Sequence, residues 1–328
     1  MFWEGSDRMS DIIFVLGTMT FGESVFEPDV KSFIEMFLNY GYKELDTAYV
    51  YNEGKCEELL GEALQSINAE YKVSTKVNPR ISGKLDGEAA YKQLNESLCR
   101  LRLKSVDTFY LHFPDPFTDV TSVLKACNQL HEKGKFKELG LSNFPAWMVA
   151  NVWHICKKNN WITPTVYEGI YNPLTRKAEI ELNDCLNNLG LRFYAYNPMA
   201  GGLLTGRYSS FENEPTYGRF THRPNYQGRY WKKSYFDALE ILKEAANSIG
   251  ITTIEATYRW LGYHSMLNGE RGDAIIIGAS KLNHLQQNIE SMNAGPLPES
   301  MLKAFEQAWQ LTKADSPEYF KLFKGKGK

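Results

Sequence analysis

Cysteine is scarce in this 328-residue chain, and the five present (Cys56, Cys99, Cys127, Cys156, Cys185) form no CxxC pair. An odd set of widely spaced thiols argues against a disulfide framework and suits reduced thiols in a cytoplasmic protein. An excess of charge is also missing: 37 Lys and Arg against 39 Asp and Glu leave a net charge of −2. That balance offers no general attraction for nucleic acid or for a membrane surface. No apolar run reaches the roughly 18 residues that a membrane span requires, and no basic stretch followed by an apolar one opens the chain as an export signal would. No GxGxxG follows a strand-like run, so the dinucleotide fingerprint of a doubly wound domain is absent.

What is present is one pattern repeated eight times. Residues 1–10 read as a polar lead-in, and residues 11–328 as one domain without a linker or a composition shift. Strand-like runs at Ile12–Gly17, Lys43–Thr47, Tyr71–Lys76, Val106–His112, Glu138–Leu141, Thr163–Tyr167, Leu191–Tyr196 and Ala274–Ile277 each precede a helical pattern. Eight such alternations predict an α/β fold, a single (β/α)8 TIM barrel, over the competing open sheet. One more amphipathic stretch, Glu299–Thr312, predicts an extra C-terminal helix, and a long irregular loop, Asn197 to about Tyr230, follows strand seven. The basic end, Lys321–Lys328, reads as a solvated terminus.

Polar side chains collect where ligands bind in such a barrel, at the C-terminal ends of strands. Asp46 ends strand two with Tyr51 in the loop beyond it, Lys76 ends strand three and His112 ends strand four. Each alone has a bland explanation as a turn cap, a surface ion or a packed ring. Neighbouring strands lie only ~5 Å apart, so the four converge on one spot. The chemistry is coherent: a phenol, with an ordinary pKa of about 10, becomes a usable proton donor when a cation supports its phenolate. Lys76, held charged by Asp46, is placed to do this for Tyr51, while His112 orients a carbonyl. A proton donor with neither nucleophile nor metal site suits carbonyl reduction by cofactor hydride. A metal-dependent hydrolase built on Asp46 and His112 would need three or more ligands, and beyond Glu168 no other His or carboxylate stands at a matching strand end.

The segments LGTMTFGE (Leu16–Glu23), ELDTAYVYNEG (Glu44–Gly54), STK (Ser74–Lys76), YLHFPD (Tyr110–Asp115), GLSNF (Gly140–Phe144), VYEGIYNP (Val166–Pro173) and AYNPMAGGLLTGRY (Ala195–Tyr208) resemble the aldo-keto reductases. They occur in that family's order, from about Phe14 to Phe320. KFKELGLSNF, AGGLLTGRY and GRYWKKSYF are most similar to its aflatoxin-aldehyde reductase branch, whose members also reduce succinic semialdehyde.

The resemblance implies NADPH-dependent reduction of aldehydes, with Tyr51 as acid, Asp46 and Lys76 tuning it and His112 orienting the substrate. It implies that Ser142, Asn143 and Glu168 hold the nicotinamide amide and that Tyr196 stacks on the ring. Asn197, Met199, Gly201, Gly202, Leu203 and Arg207 fall on the pyrophosphate, and Gly278, Ser280, Gln287 and Asn288 on the adenosine 2′-phosphate. Ala279 departs from the lysine many relatives carry there, leaving Ser280 and Lys281 for the phosphate. Glu168 departs from the usual Gln, and an ionised Glu only accepts hydrogen bonds. Phe21, Phe144, Trp231 and Phe320 are expected to form an apolar lid, with Arg229 or Lys321 available to a substrate carboxylate. A homodimer is what the branch implies. Potassium-channel β subunits share this fold and cofactor site, so a cofactor-sensing binding subunit is the alternative reading.

Overall fold

The computed structural model describes residues 11–213, 215–216 and 218–325; the lead-in at residues 1–10 lies outside them. Eight parallel strands close into a barrel in chain order: β1 (Ile13–Gly17), β2 (Glu44–Asp46), β3 (Lys72–Val77), β4 (Val106–Leu111), β5 (Phe136–Ser142), β6 (Pro164–Ile170), β7 (Arg192–Tyr196) and β8 (Ala274–Ile277). Pairing of β1 with β8, Val15 opposite Ile276, closes the ring. The helices are α1 (Asp29–Asn39), α2 (Lys55–Leu64), α3 (Pro79–Ser82), α4 (Gly87–Leu101), α5 (Val120–Glu132), α6 (Ala146–Lys158), α7 (Leu182–Leu189), α8 (Arg219–His222), α9 (Pro224–Tyr230), α10 (Lys233–Ser248), α11 (Thr253–Tyr263), α12 (Leu282–Met292) and α13 (Glu299–Thr312).

Alternation along each strand divides the core in two. Phe14, Leu16, Leu45, Val73, Phe109 and Leu111 face the helices and join the main apolar cluster. Each such burial stabilises the fold by about 1.5–3 kcal/mol. Val15, Tyr110, Val166, Tyr194, Ala274 and Ile276 fill the inside of the barrel. Tyr110 lies inside because Gly140 opposite it on β5 lacks a side chain: a Cβ there would meet the ring at 2.3 Å. The helices obey local rules; α4 starts where the Asp86 carboxylate accepts from the Ala89 N–H at 2.9 Å, buries Ala90, Leu94, Leu98 and Leu101, and ends at left-handed Arg102.

Three expectations are corrected. β6 runs on to Ile170, past the expected end at Tyr167, because its ladder with β7 continues through Glu168 opposite Tyr194 and Ile170 opposite Tyr196. Glu168 is therefore a strand residue. The stretch after β7 is less irregular than expected, holding a 3-10 turn (Ala200–Thr205) and helices α8 and α9. The basic end is docked as far as it is described: the Lys321 N–H donates to the Asn143 carbonyl and the Phe323 N–H to that of Pro114, both at 3.0 Å. Among the described residues no helix is long and apolar enough to cross a membrane.

Candidate active site

A cavity of about 770 Å³ opens at the C-terminal ends of the strands. Asp46, Tyr51, His112, Ser142, Asn143, Glu168 and Tyr196 line its floor and near wall. Asn197, Met199, Gly201, Gly202 and Arg207 line a second wall, and Gly278, Ser280, Gln287 and Asn288 a third.

Lys76 lies just beneath the floor, its side chain fully buried. Its ammonium donates to Asp46 Oδ1 and to the Thr47 carbonyl at 3.0 Å, and lies 3.3 Å from Glu168 Oε2. Burial alone would lower its pKa, but Asp46 and then Glu168 outweigh that and hold it above the usual lysine range. The ammonium sits 5.3 Å from the ring centroids of both Tyr51 and Tyr110. Its charge is thus divided among two carboxyls and two rings. Tyr51 responds accordingly: burial, then Asp46 and Glu168, push its phenol well above 10, so it is protonated at neutral pH.

His112 stands edge-on to Tyr51, ring centroids 6.2 Å apart, and stacks on Phe113. Burial, then Lys76 and Arg80, hold the imidazole well below its ordinary pKa, so it is neutral at pH 7. Its tautomer follows from Asn78. The Asn78 Oδ1 caps α3 by accepting from the Arg80 N–H at 2.9 Å, which turns Nδ2 toward His112 Nδ1 at 3.4 Å. An amide N–H donates, so Nδ1 is the acceptor and the ring proton lies on Nε2. Replacing Asn78 by Asp substitutes an acceptor for that donor. The expected result is a proton moved to Nδ1 and a His112 pKa raised from its present depressed value, read from imidazole ¹⁵N shifts across pH 5–9. An unchanged Nε2–H form in Asn78→Asp would contradict the assignment.

Asn143, at φ 63°, donates to the His112 carbonyl and to Ser142 Oγ and accepts from the Tyr196 hydroxyl at 2.7 Å. That network fixes the Tyr196 ring, whose hydroxyl burial pushes to about 12.

Glu168 is the exception to the good pairing. Its Oε2 is buried and lacks an aligned hydrogen bond. Burial first, then Asp46, push its carboxyl up to about 8 against the opposing pull of Lys76. A carboxyl raised from the ordinary range near 4.3 contributes stability that is fully present at low pH and lost as pH rises through the folded value. Glu168→Gln is therefore expected to gain stability relative to the native chain between about pH 5 and 8, by about 3–5 kcal/mol in all, with a constant difference above that. Thermal melts at each pH test it; a difference independent of pH would contradict it.

Several expected contacts fall elsewhere. Phe21 and Phe144 are fully buried in the main core, not in a lid, and Leu203 is likewise buried beneath its turn. Trp231 packs among Tyr208, Phe220 and Phe236 and donates to the Phe211 carbonyl at 2.9 Å, under the long loop. Phe320 packs edge-on against Tyr319. Arg229 is half-buried over Tyr226, and Lys321 is exposed at the docked tail; neither lines the cavity. The cavity instead presents residues that sequence reasoning missed: Arg80, 4.0 Å over the Phe113 ring, Arg219, Arg223 and His284. Arg223 ties Glu23 and Asn52 across the mouth, the Asn52 bond being 2.7 Å. Cations on short helices, helix ends and loops look like solvated surface in a sequence, so no local signal marks them. Among the described residues no group of three or more His, Cys, Asp or Glu is placed to hold a metal ion.

The family model for the Aldo/keto reductase family matches residues 14–310. The chain belongs to that family. This aldo/keto reductase is 43% identical over 321 residues to human "Aldo-keto reductase family 7 member A3", covering 94% of this chain and 96% of the relative. It is 43% identical over 319 residues to mouse "Aflatoxin B1 aldehyde reductase member 2", covering 94% and 87%. It is 33% identical over 322 residues to "Oxidoreductase sirO" of Leptosphaeria maculans, covering 94% and 96%.

Proposed function

We propose that this chain is an NADPH-dependent aldehyde reductase in which Tyr51 gives the proton. Family membership and the aldehyde reductases among its relatives support the coarser part, an oxidoreductase acting on aldehydes with a nicotinamide cofactor. The observation that carries the finer part is the Tyr51 hydroxyl. It lines the cavity without a hydrogen-bond partner among the described residues, beside a neutral His112 and above a buried ammonium. A reduced nicotinamide bound here supplies the hydride. Tyr51 donates its proton to the carbonyl oxygen as negative charge develops there, the His112 Nε2–H holds the same oxygen in line, and Lys76 supports the phenolate left behind. Burial excludes water from the Lys76 and Asp46 pair, so that support is stronger than it would be in solvent.

The residues fit the cofactor. Gly201 and Gly202 line the cavity at positive φ in the turn after β7 and carry no side chain, so a phosphate can approach the backbone closely, while the Ala200 and Gly202 N–H groups are held by the Asn197 and Met199 carbonyls. Arg207, Lys281 and His284 lie within mutual electrostatic reach and adjoin Ser280 and the N-terminus of α12, a favourable setting for a phosphate. That cluster supports NADPH over NADH despite Ala279. The test is consumption of NADPH, with NADH in parallel, on succinic semialdehyde and 4-nitrobenzaldehyde. Turnover with NADPH supports the proposal; NADPH binding without turnover on any aldehyde would move the reading to a cofactor-sensing subunit.

Arg80 lines the cavity, and Arg229 and Lys321, which do not, lie close enough to repel it and each other. Three mutually repelling cations favour an anionic substrate end, such as the carboxylate of succinic semialdehyde. Arg80→Ala is expected to raise KM for succinic semialdehyde by about tenfold or more, the loss of one charged hydrogen bond. KM for the uncharged 4-nitrobenzaldehyde stays within about twofold. Equal effects on both substrates would remove the carboxylate role.

A further inference from the structure

We propose that Glu168 holds a proton in the working enzyme, and that this proton keeps the Lys76 charge available to Tyr51. Ionisation of Glu168 would then switch the proton donor off. The inference rests on Tyr51 being the acid, and it deepens that reading.

Lys76 contacts two carboxyls, and the three side chains are 0%, 4% and 4% exposed for Lys76, Asp46 and Glu168. One positive charge cannot neutralise two negative ones in a dry site, so either the cluster carries a net charge or one carboxyl keeps a proton. The surroundings decide which carboxyl. Asp46 accepts from the Lys76 ammonium and from Ser74 Oγ at 2.6 Å. Glu168 has only the oblique 3.3 Å approach of the same ammonium, and its Oε2 is otherwise unsatisfied. Asp46 keeps its charge and Glu168 keeps the proton.

Among the described residues no other group facing Glu168 supplies a compensating cation. From the loop after β2 it faces Tyr51, from β4 Tyr110, from β5 the hydroxyl of Ser142, and from β7 Tyr194 and Tyr196. His112, just past the end of β4 and near Lys76, is neutral. The upward shift of the Glu168 carboxyl to about 8 agrees with the count.

The functional consequence concerns the phenolate. When Tyr51 gives its proton to the substrate oxygen, a negative charge appears near Asp46 and Glu168, and both raise its energy. With Glu168 neutral, Lys76 faces one carboxylate and the new phenolate, two negative charges against one positive. With Glu168 ionised there are three. The Glu168 proton itself stays in place throughout; only its presence matters. This makes Glu168 a tuning residue for Tyr51.

The experiment compares the native protein with Glu168→Gln, which keeps the shape and cannot ionise. In cofactor-free protein, infrared difference spectra from pH 6 to 10 are expected to show a protonated-carboxyl C=O band lost with a midpoint near 8, absent from Glu168→Gln. For turnover, kcat/KM for aldehyde reduction is expected to bend down near that midpoint in the native enzyme and to fall by about tenfold per pH unit from about one unit above it. The same limb is missing from Glu168→Gln. Absence of the band, or a limb that persists in Glu168→Gln, overturns the proposal. If the band titrates but neither protein reduces any aldehyde, the proton is real and its role in tuning an acid is overturned together with the reductase reading. If the band titrates and the native profile is flat, only the coupling to Tyr51 fails.

Discussion

Tyr51→Phe is expected to lose aldehyde reduction by about a thousandfold or more while still binding NADPH, since general acid catalysis contributes about 10²–10⁴. The substitution removes one oxygen and leaves the ring. That ring packs against the main core and lies 5.3 Å from Lys76, so its contacts persist. The hydroxyl has no hydrogen-bond partner among the described residues, so the fold gives up little when it is lost. The two measurements separate cleanly: NADPH affinity by fluorescence titration, and turnover by cofactor consumption. Turnover within about tenfold of native would show that another group delivers the proton, because a positioned acid that contributes so little lies below the usual range. His112 also lines the floor, and its neutral Nε2–H is a far weaker acid than an imidazolium.

The second large effect is expected from Lys76→Met. The thioether fills the volume of the side chain but leaves Asp46 and Glu168 buried side by side without a cation. Removing one partner from a buried ion pair costs about 3–5 kcal/mol, and here two carboxyls lose the same partner. The sign of the pH dependence follows from linkage. Glu168, whose folded pKa already lies above its unfolded one, loses the pull of Lys76 that opposed the rise, so the stability it contributes is present at low pH and lost as pH rises. Lys76→Met is therefore expected to melt well below the native protein at pH 8 and to approach it near pH 5. Its reductase activity is expected to fall by about a thousandfold, since the phenolate loses its counter-charge. Calorimetric melts from pH 5 to 9 test the stability; a melting deficit that is the same at every pH would mean that the loss is packing, not charge.

These two expectations draw on different depths of the sequence. Tyr51 and Lys76 were visible because each lies at or just past the end of a strand-like run, and parallel barrels place such residues together. The strand count required only period-2 apolar runs separated by helical patterns, signals that are local and strong. Leu203 was harder to read, since its turn was found but its side chain points beneath it. Phe21 and Phe144 were misread for a related reason. An aromatic residue in a loop after a strand can turn toward the ligand or back under the loop, and only the packing of Phe33 against Phe21, or of the Tyr167 hydroxyl against the Phe144 carbonyl, determines which.

The cations were the least legible. Arg80 becomes part of the cavity because α3 carries it over Phe113, and Arg223 because its loop returns to Glu23, 200 residues earlier in the chain. Neither position has a sequence pattern that separates it from a solvated surface charge.

From the sequence alone came the (β/α)8 order of elements, the extra C-terminal helix and the residues Asp46, Tyr51, Lys76 and His112, because strand periodicity and strand ends are properties of short segments. Only the tertiary structure decided that β6 carries Glu168 inward, that this carboxyl shares one ammonium with Asp46, and that Asn78 sets the His112 tautomer. These depend on ladder register and on side chains from different strands meeting in a dry interior. There, charge must balance and each hydrogen bond has a direction, and neither condition is written in any one stretch of the chain.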